Sequence, residues 1–161
     1  MLRAVYEFWV FIHILGVAGF LATHGVSMYT MFAVRGGERD RDRILGLCEL
    51  SKRTIGPMYV SMGLLVLGGV AAGIQHSLFA QTWLWASIVV LLVILAAMSV
   101  TGTPWMKQLR EGCTLWHDGT YPMTDEELTA HLDGPMVQIV AGSGAVALVL
   151  ILYLMVYKPG G

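Results

Sequence analysis

The chain has 161 residues, of which 56% are hydrophobic and only 13% charged, with a mean hydropathy of +0.66. This is far from the balance of a soluble globular domain and points to an integral membrane protein whose first partner is the lipid bilayer. The formal net charge of -1 carries no basic excess, and no nucleic-acid partner is expected.

Four apolar stretches, at about residues 7–34, 54–74, 83–103 and 135–157, are long enough to cross a hydrocarbon core of about 30 Å, which takes roughly 20 residues. Their apolar runs are continuous and do not alternate, so helices are expected and a β-barrel is not. The expected fold is an all-α, four-helix membrane bundle forming a single domain. Arg3 precedes the first stretch, but about 27 residues is too long for a signal peptide's apolar region of 7 to 15, so that stretch reads as a retained helix.

Lys and Arg set the expected orientation. Arg35, Arg39, Arg41, Arg43, Lys52 and Arg53 lie between spans one and two, and Lys107 and Arg110 follow span three, which leaves only Arg3 and Lys158 at the opposite side. The positive-inside rule then places loops 35–53 and 104–134 in the cytoplasm and both termini outside a plasma (inner) membrane.

The first span holds the residues that carry chemistry. His13 and His24 are eleven positions apart in an otherwise uncharged helix, which is about three turns plus 20°, so both imidazoles share one face with about 16 Å between their levels. Trp9, Gly16, Phe20, Ser27 and Met31 fall within about 60° of His13 on the helical wheel. An ionisable side chain at membrane depth is a functional-site hypothesis by default. Imidazole and thioether are the axial ligands of haem iron, and helix bundles hold such cofactors in their cores, so one or two b-type haems suit this stripe. Gly16 lets a flat ring approach the backbone.

The remaining elements supply candidate partners. Gly36 and Gly37 end span one, and 40–52 reads either as a short interfacial helix or as an extension of span two, with a kink expected at Gly56-Pro57. On span two, Met58 and Met62 are thioethers at the depth of His24, and Gly69-xxx-Gly73 lets another backbone come close. His76, at the outer end of this span and near the level of His13, is the best second ligand for an outer site. The short outer turn 75–81 makes spans two and three antiparallel neighbours. Span three ends at Gly102-Thr103-Pro104 and carries Met98. Thr124-Asp125-Glu126-Glu127 is a capping box that starts a surface helix running to about Leu132 and stopped by Asp133-Gly134-Pro135. His131 on that helix reaches a site only if the helix folds against the membrane, and His117 reads as a turn residue. Span four opens with Ala141, Gly142, Ser143, Gly144 and Ala145, which suit close packing. Cys48 and Cys113 show no CxxC spacing and read as two ordinary free thiols in the cytoplasmic loops.

The segment Phe11-Ile12-His13-Ile14-Leu15-Gly16-Val17-Ala18-Gly19-Phe20 resembles the opening helix of DUF2269 integral membrane proteins and, more distantly, that of the CopD copper-resistance membrane domain and of HemJ-type protoporphyrinogen oxidases. The resemblance implies haem at His13, the residue matching their early helix histidine. The basic residue expected within a HemJ-type helix is absent from this span, which argues against porphyrinogen oxidation. The expected function is therefore b-type haem binding in electron transfer, or as a small subunit of a membrane redox complex. His13, His76 and His24 are the candidate iron ligands, and Gly16 and Met62 complete the cofactor site. Two alternatives stand beside it: a cofactor-free accessory subunit or scaffold in which the histidines only pack, and a copper-handling protein using His24, Met28, Met31, Met58 and Met62. Further membrane subunits or a homo-oligomer are expected partners.

Overall fold

The computed structural model describes residues 2–160. All its regular structure is helical: α1 (Leu2–Gly36), α2 (Arg41–Arg53), α3 (Ile55–Gln75), α4 (Thr82–Cys113), α5 (Asp125–Asp133) and α6 (Met136–Tyr157), with one 3-10 turn at Leu78–Ala80. Four helical stretches are long and apolar enough to cross a membrane.

The helix boundaries follow local chemistry. Asp40 caps α2 by accepting from the Arg43 N–H at 2.9 Å. The step from α2 into α3 falls at Thr54. Pro57 has no N–H to offer the Arg53 carbonyl four residues back, so the break sits one turn before the proline. The expected capping box at α5 is present: the Thr124 Oγ1 accepts from the Glu127 N–H, and the Glu127 carboxylate accepts from the Thr124 N–H at 2.8 Å. α6 ends on Lys158 in the left-handed region (φ 47°), with Pro159 following.

Two expectations are corrected. Span three does not stop before Pro104, because α4 runs through the proline to Cys113. One backbone hydrogen bond is lost there, and burial of Trp105, Leu109 and Cys113 beyond it offsets that loss. Spans two and three are not the closely packed neighbours their short turn suggested. α3 packs antiparallel along α1, and α4 along α6.

The α1/α3 pair is held by near backbone-to-backbone contact. A Cβ built on Gly68 would stand 2.5 Å from the His13 nitrogen and 2.9 Å from the Trp9 carbonyl, and one on Gly16 would collide with the backbone of Leu65. The hydroxyls of Ser27 and Thr54 are hydrogen-bonded at 3.0 Å, and Ser51 donates to Ser27 at 3.2 Å. In the α4/α6 pair, Gly144 receives the Met98 methyl group and Lys158 lies 5.7 Å from the Trp83 ring centroid.

The core sits at the basic end, where α2 and α5 cross the two pairs. Met31, Val34, Ile44, Cys48, Trp105, Leu109, Cys113, Leu128, Leu132, Val137 and Val140 form one buried cluster there. Beside it, Arg39 pairs with Asp133 and Arg41 with Asp125. Further along the spans burial is sparse, and none of the residues from Ile88 to Pro104 on α4 is fully buried.

Because Gly68 meets backbone, Gly68→Ala forces α1 and α3 apart. A loss of about 1–3 kcal/mol is expected, as for overpacked sites in general, read as a lower unfolding midpoint by circular dichroism in detergent. Gly25→Ala, where a Cβ meets nothing within 4 Å, should leave the midpoint unchanged or slightly raised. Equal midpoints for wild type and Gly68→Ala would show that the seam is not this tight.

Candidate functional site

His13 sits in the α1/α3 seam, held by the glycines of α3. Its Nδ1 lies 2.7 Å from the Leu65 carbonyl oxygen, an arrangement in which Nδ1–H donates to that carbonyl. Leu65 O is the normal helical acceptor for the N–H of residue 69, and a side chain there would lean back over that carbonyl. Residue 69 is glycine, and a Cβ on it would stand 2.9 Å from His13 Nδ1. Gly69 therefore opens the carbonyl to the imidazole, while Gly68 lets the α1 backbone approach. The sequence pointed to Gly69 and Gly73 as the close-approach pair, but the backbone contact belongs to Gly68, and Gly73 receives the ring of Phe79.

The structure does not bring His13 and His76 to one level. His76 is seven residues beyond Gly69, about 10 Å further along α3 at 1.5 Å per residue. Its ring lies 3.9 Å from that of Tyr6, and it is exposed at the helix end. Gly16 faces Leu65 and Ser61 directly, so a porphyrin does not fit between α1 and α3, and a flat cofactor at His13 would stand beside the seam.

His24 has a different setting. Its ring stacks flat on Phe20, with centroids 5.5 Å apart and planes 6° from parallel. It is half-buried, and no hydrogen bond to its nitrogens occurs among the described residues. Met58 and Met62 are half-buried on α3, outside the cluster that gathers Met28, Met31 and Met98.

The remaining histidines lie toward the basic end. His131 stacks on Trp105 (4.9 Å, 14°), and its Nε2 lies 3.2 Å from the Trp105 carbonyl, so α5 does fold against α4. His117 lies exposed in the turn closed by the Trp116 N–H on Thr120 O at 2.9 Å. Among the described residues, no group of three or more His, Cys, Asp or Glu is placed to hold a metal ion.

The thiols are the residues that sequence reasoning undervalued. Cys48 (3% exposed) and Cys113 (0%) lie in the same buried cluster, both as free thiols. Burial and the neighbouring Cys113 push the Cys48 thiol up to about 11, against the opposing pull of Arg110. Burial also raises Cys113, against Arg41. The only hint in the sequence is that Cys48 shares the apolar face of α2 with Ile44.

At pH 8 the Cys48 thiol, with its pKa near 11, is about one part in a thousand thiolate, and the thiolate is the reactive form. Maleimide should therefore label neither cysteine of the folded protein on the timescale that labels both after denaturation, with the rate for Cys48 rising with pH, as mass spectrometry can follow. Rapid labelling of Cys48 at pH 7 in folded protein would contradict this burial. In comparison with known proteins, the chain matches no family model, and no curated protein or solved structure shows significant similarity to it.

Proposed function

We propose that this is a multi-pass plasma-membrane protein that binds b-type haem on α1 and passes electrons, alone or as a small subunit of a membrane redox complex. The observation that carries this reading is the 2.7 Å contact from His13 Nδ1 to Leu65 O. A backbone acceptor on one ring nitrogen fixes the tautomer and the ring plane and raises the basicity of the other, as for histidines that ligate metals. Haem held there supplies reversible one-electron exchange at its iron. The protein's contribution is orientation: Gly68 and Gly69 admit the ring, and the seam shields one of its sides from water. His24, on the same face about 16 Å deeper by helical rise, is the candidate for a second site, with Met62 as a thioether across the seam. His76 belongs to the outer end and does not share an iron with His13.

A second reading rests on the same contact. A histidine donating across two helices is also packing glue, worth roughly 0.6 to 2 kcal/mol in membranes, and a cofactor-free accessory subunit needs nothing more of His13. The orientation reading places the basic end, with α2 and α5, in the cytoplasm and both termini outside.

Two measurements test these proposals. The detergent-purified protein should show a Soret band with a sharp α band in its reduced-minus-oxidised spectrum. His13→Ala should lose that signal while still inserting, and His117→Ala should keep it. Equal haem content in wild type and His13→Ala would overturn the ligand role and leave the packing reading. A periplasmic reporter fused after Gly161 should be active, and one inserted near Gly37 inactive, with the reverse pattern overturning the orientation.

A further inference from the structure

Several ion pairs at the basic end match one cation with one carboxylate: Arg39 with Asp133, Arg41 with Asp125 and Lys107 with Glu111. The step from α2 into α3 departs from this. Lys52 Nζ lies 3.7 Å and Arg53 Nε 3.8 Å from the two oxygens of a single carboxylate, that of Glu49. Both distances exceed the roughly 2.7–2.9 Å of a charge-assisted hydrogen bond, and both cations are exposed. Two cations sharing one carboxylate leave the surface of this step with an excess positive charge.

Immediately beyond it, α3 presents an apolar outer face with a notch in it. Ser61 and Leu65, two residues to either side of Gly63, face α1, which turns Gly63 away from that seam. Residues three and four apart are neighbours on a helix surface, so Gly63 is rimmed by Tyr59, Val60, Val66 and Leu67, each between 46% and 67% exposed. A Cβ on Gly63 would meet nothing within 4 Å. By helical rise, Tyr59 stands about 9 Å and Gly63 about 15 Å from the level of Arg53. Cation, phenol and apolar notch therefore follow one another in the order of a phospholipid's phosphate, ester region and acyl chain.

We propose that this face binds one anionic phospholipid, with its phosphate on Lys52 and Arg53, its ester region at Tyr59 and one acyl chain in the Gly63 notch. Charge selects the class, because an anionic headgroup neutralises the excess positive charge, whereas a zwitterionic one brings a cation of its own. An aromatic ring with a polar tip suits the boundary between headgroup and chain. The notch favours a lipid over free phosphate, which would use the cations alone. A second copy is disfavoured: two parallel copies of α3 in one membrane, meeting at this face, would bring Lys52 and Arg53 of each against the same cations of the other. The site depends on the apolar helices lying in a bilayer, and on neither the haem reading nor the side that the basic end faces.

The test is native mass spectrometry of the full-length protein in detergent, given equal amounts of phosphatidylglycerol and phosphatidylcholine of the same chain length. One phosphatidylglycerol should be retained per chain in preference to phosphatidylcholine. Lys52→Gln and Arg53→Gln should each weaken its binding about fivefold, the equivalent of about 1 kcal/mol per cation. Glu49→Gln, which removes the competing carboxylate, should strengthen it by a similar factor. Gly63→Leu fills the notch and should weaken the long-chain lipid while leaving a short-chain analogue, which ends above the notch, unaffected. Circular dichroism should show the same helicity for all variants. Equal retention of the two lipids by wild type, which needs no variant to fold, or undiminished phosphatidylglycerol in Lys52→Gln/Arg53→Gln would overturn the assignment. Displacement of the lipid by inorganic phosphate would reveal a free-anion site, and a dimer dispersed by Gly63→Leu would give the notch to a second copy, and either result would overturn it as well.

Discussion

The one constraint on which the rest of the structure depends is the buried cluster at the basic end. α1 pairs with α3 and α4 with α6, and the pairs are tied together by α2 and α5 through Ile44, Leu109, Leu128, Leu132 and Val137. The placement has a physical reason. In hydrocarbon, apolar side chains gain nothing by leaving lipid for one another, whereas at a wet end burial of the same groups is driven by the hydrophobic effect. The charged faces of α2 and α5 fit such a wet end. The surrounding ion pairs, Arg39 with Asp133 and Arg41 with Asp125, each have one strongly exposed carboxylate. Pairs of that kind contribute little, so apolar burial does most of the joining and the arginines set register.

Along the apolar helices, close approach holds α1 to α3. Within the α1/α3 seam, the contact runs through Gly16, Gly19, Gly68 and Gly69, and the polar bonds are few and short. Small residues let dispersion and interhelical hydrogen bonds act where larger side chains would hold the backbones apart. His13 depends on this arrangement. Its ring reaches Leu65 O because residue 69 has no side chain, and its backbone stands close because residue 68 has none. Site and fold thus share two adjacent glycines, and a change at either acts on both.

Much of this was legible in the sequence, for reasons that differ by element. Apolar length gave the four long helices, and the Thr124 to Glu127 spacing gave the start of α5, because both signals are local. Partner choice was not local. The short 75–81 turn suggested that α3 would pack on α4, yet a turn only keeps two helix ends together, and the glycines of α3 fit α1 better. Pro104 read as a stop because the loss of one hydrogen bond is visible in sequence, while the burial of Trp105 and Leu109 that offsets it is a tertiary fact. The carbonyl partner of His13 left no trace either, since a backbone acceptor has no side-chain signature. The thiols were read as loop residues because Cys48 and Cys113 are 65 positions apart, and only the packing of α2 on α4 joins them.

The two histidines of α1 are equivalent on a helical wheel but not in their energetics. His13 has one ring nitrogen engaged by the Leu65 carbonyl, so part of its hydrogen-bonding capacity is met within the protein. The His24 ring stacks on Phe20, and stacking engages the ring face and not its nitrogens. An unsatisfied polar group in hydrocarbon costs several kcal/mol, more than stacking returns at about 0.5 to 1.5 kcal/mol. Stacking alone therefore leaves the His24 nitrogens dependent on what surrounds α1. Were those surroundings hydrocarbon, unpaired nitrogens would carry a cost that His13 reduces through its contact with the Leu65 carbonyl.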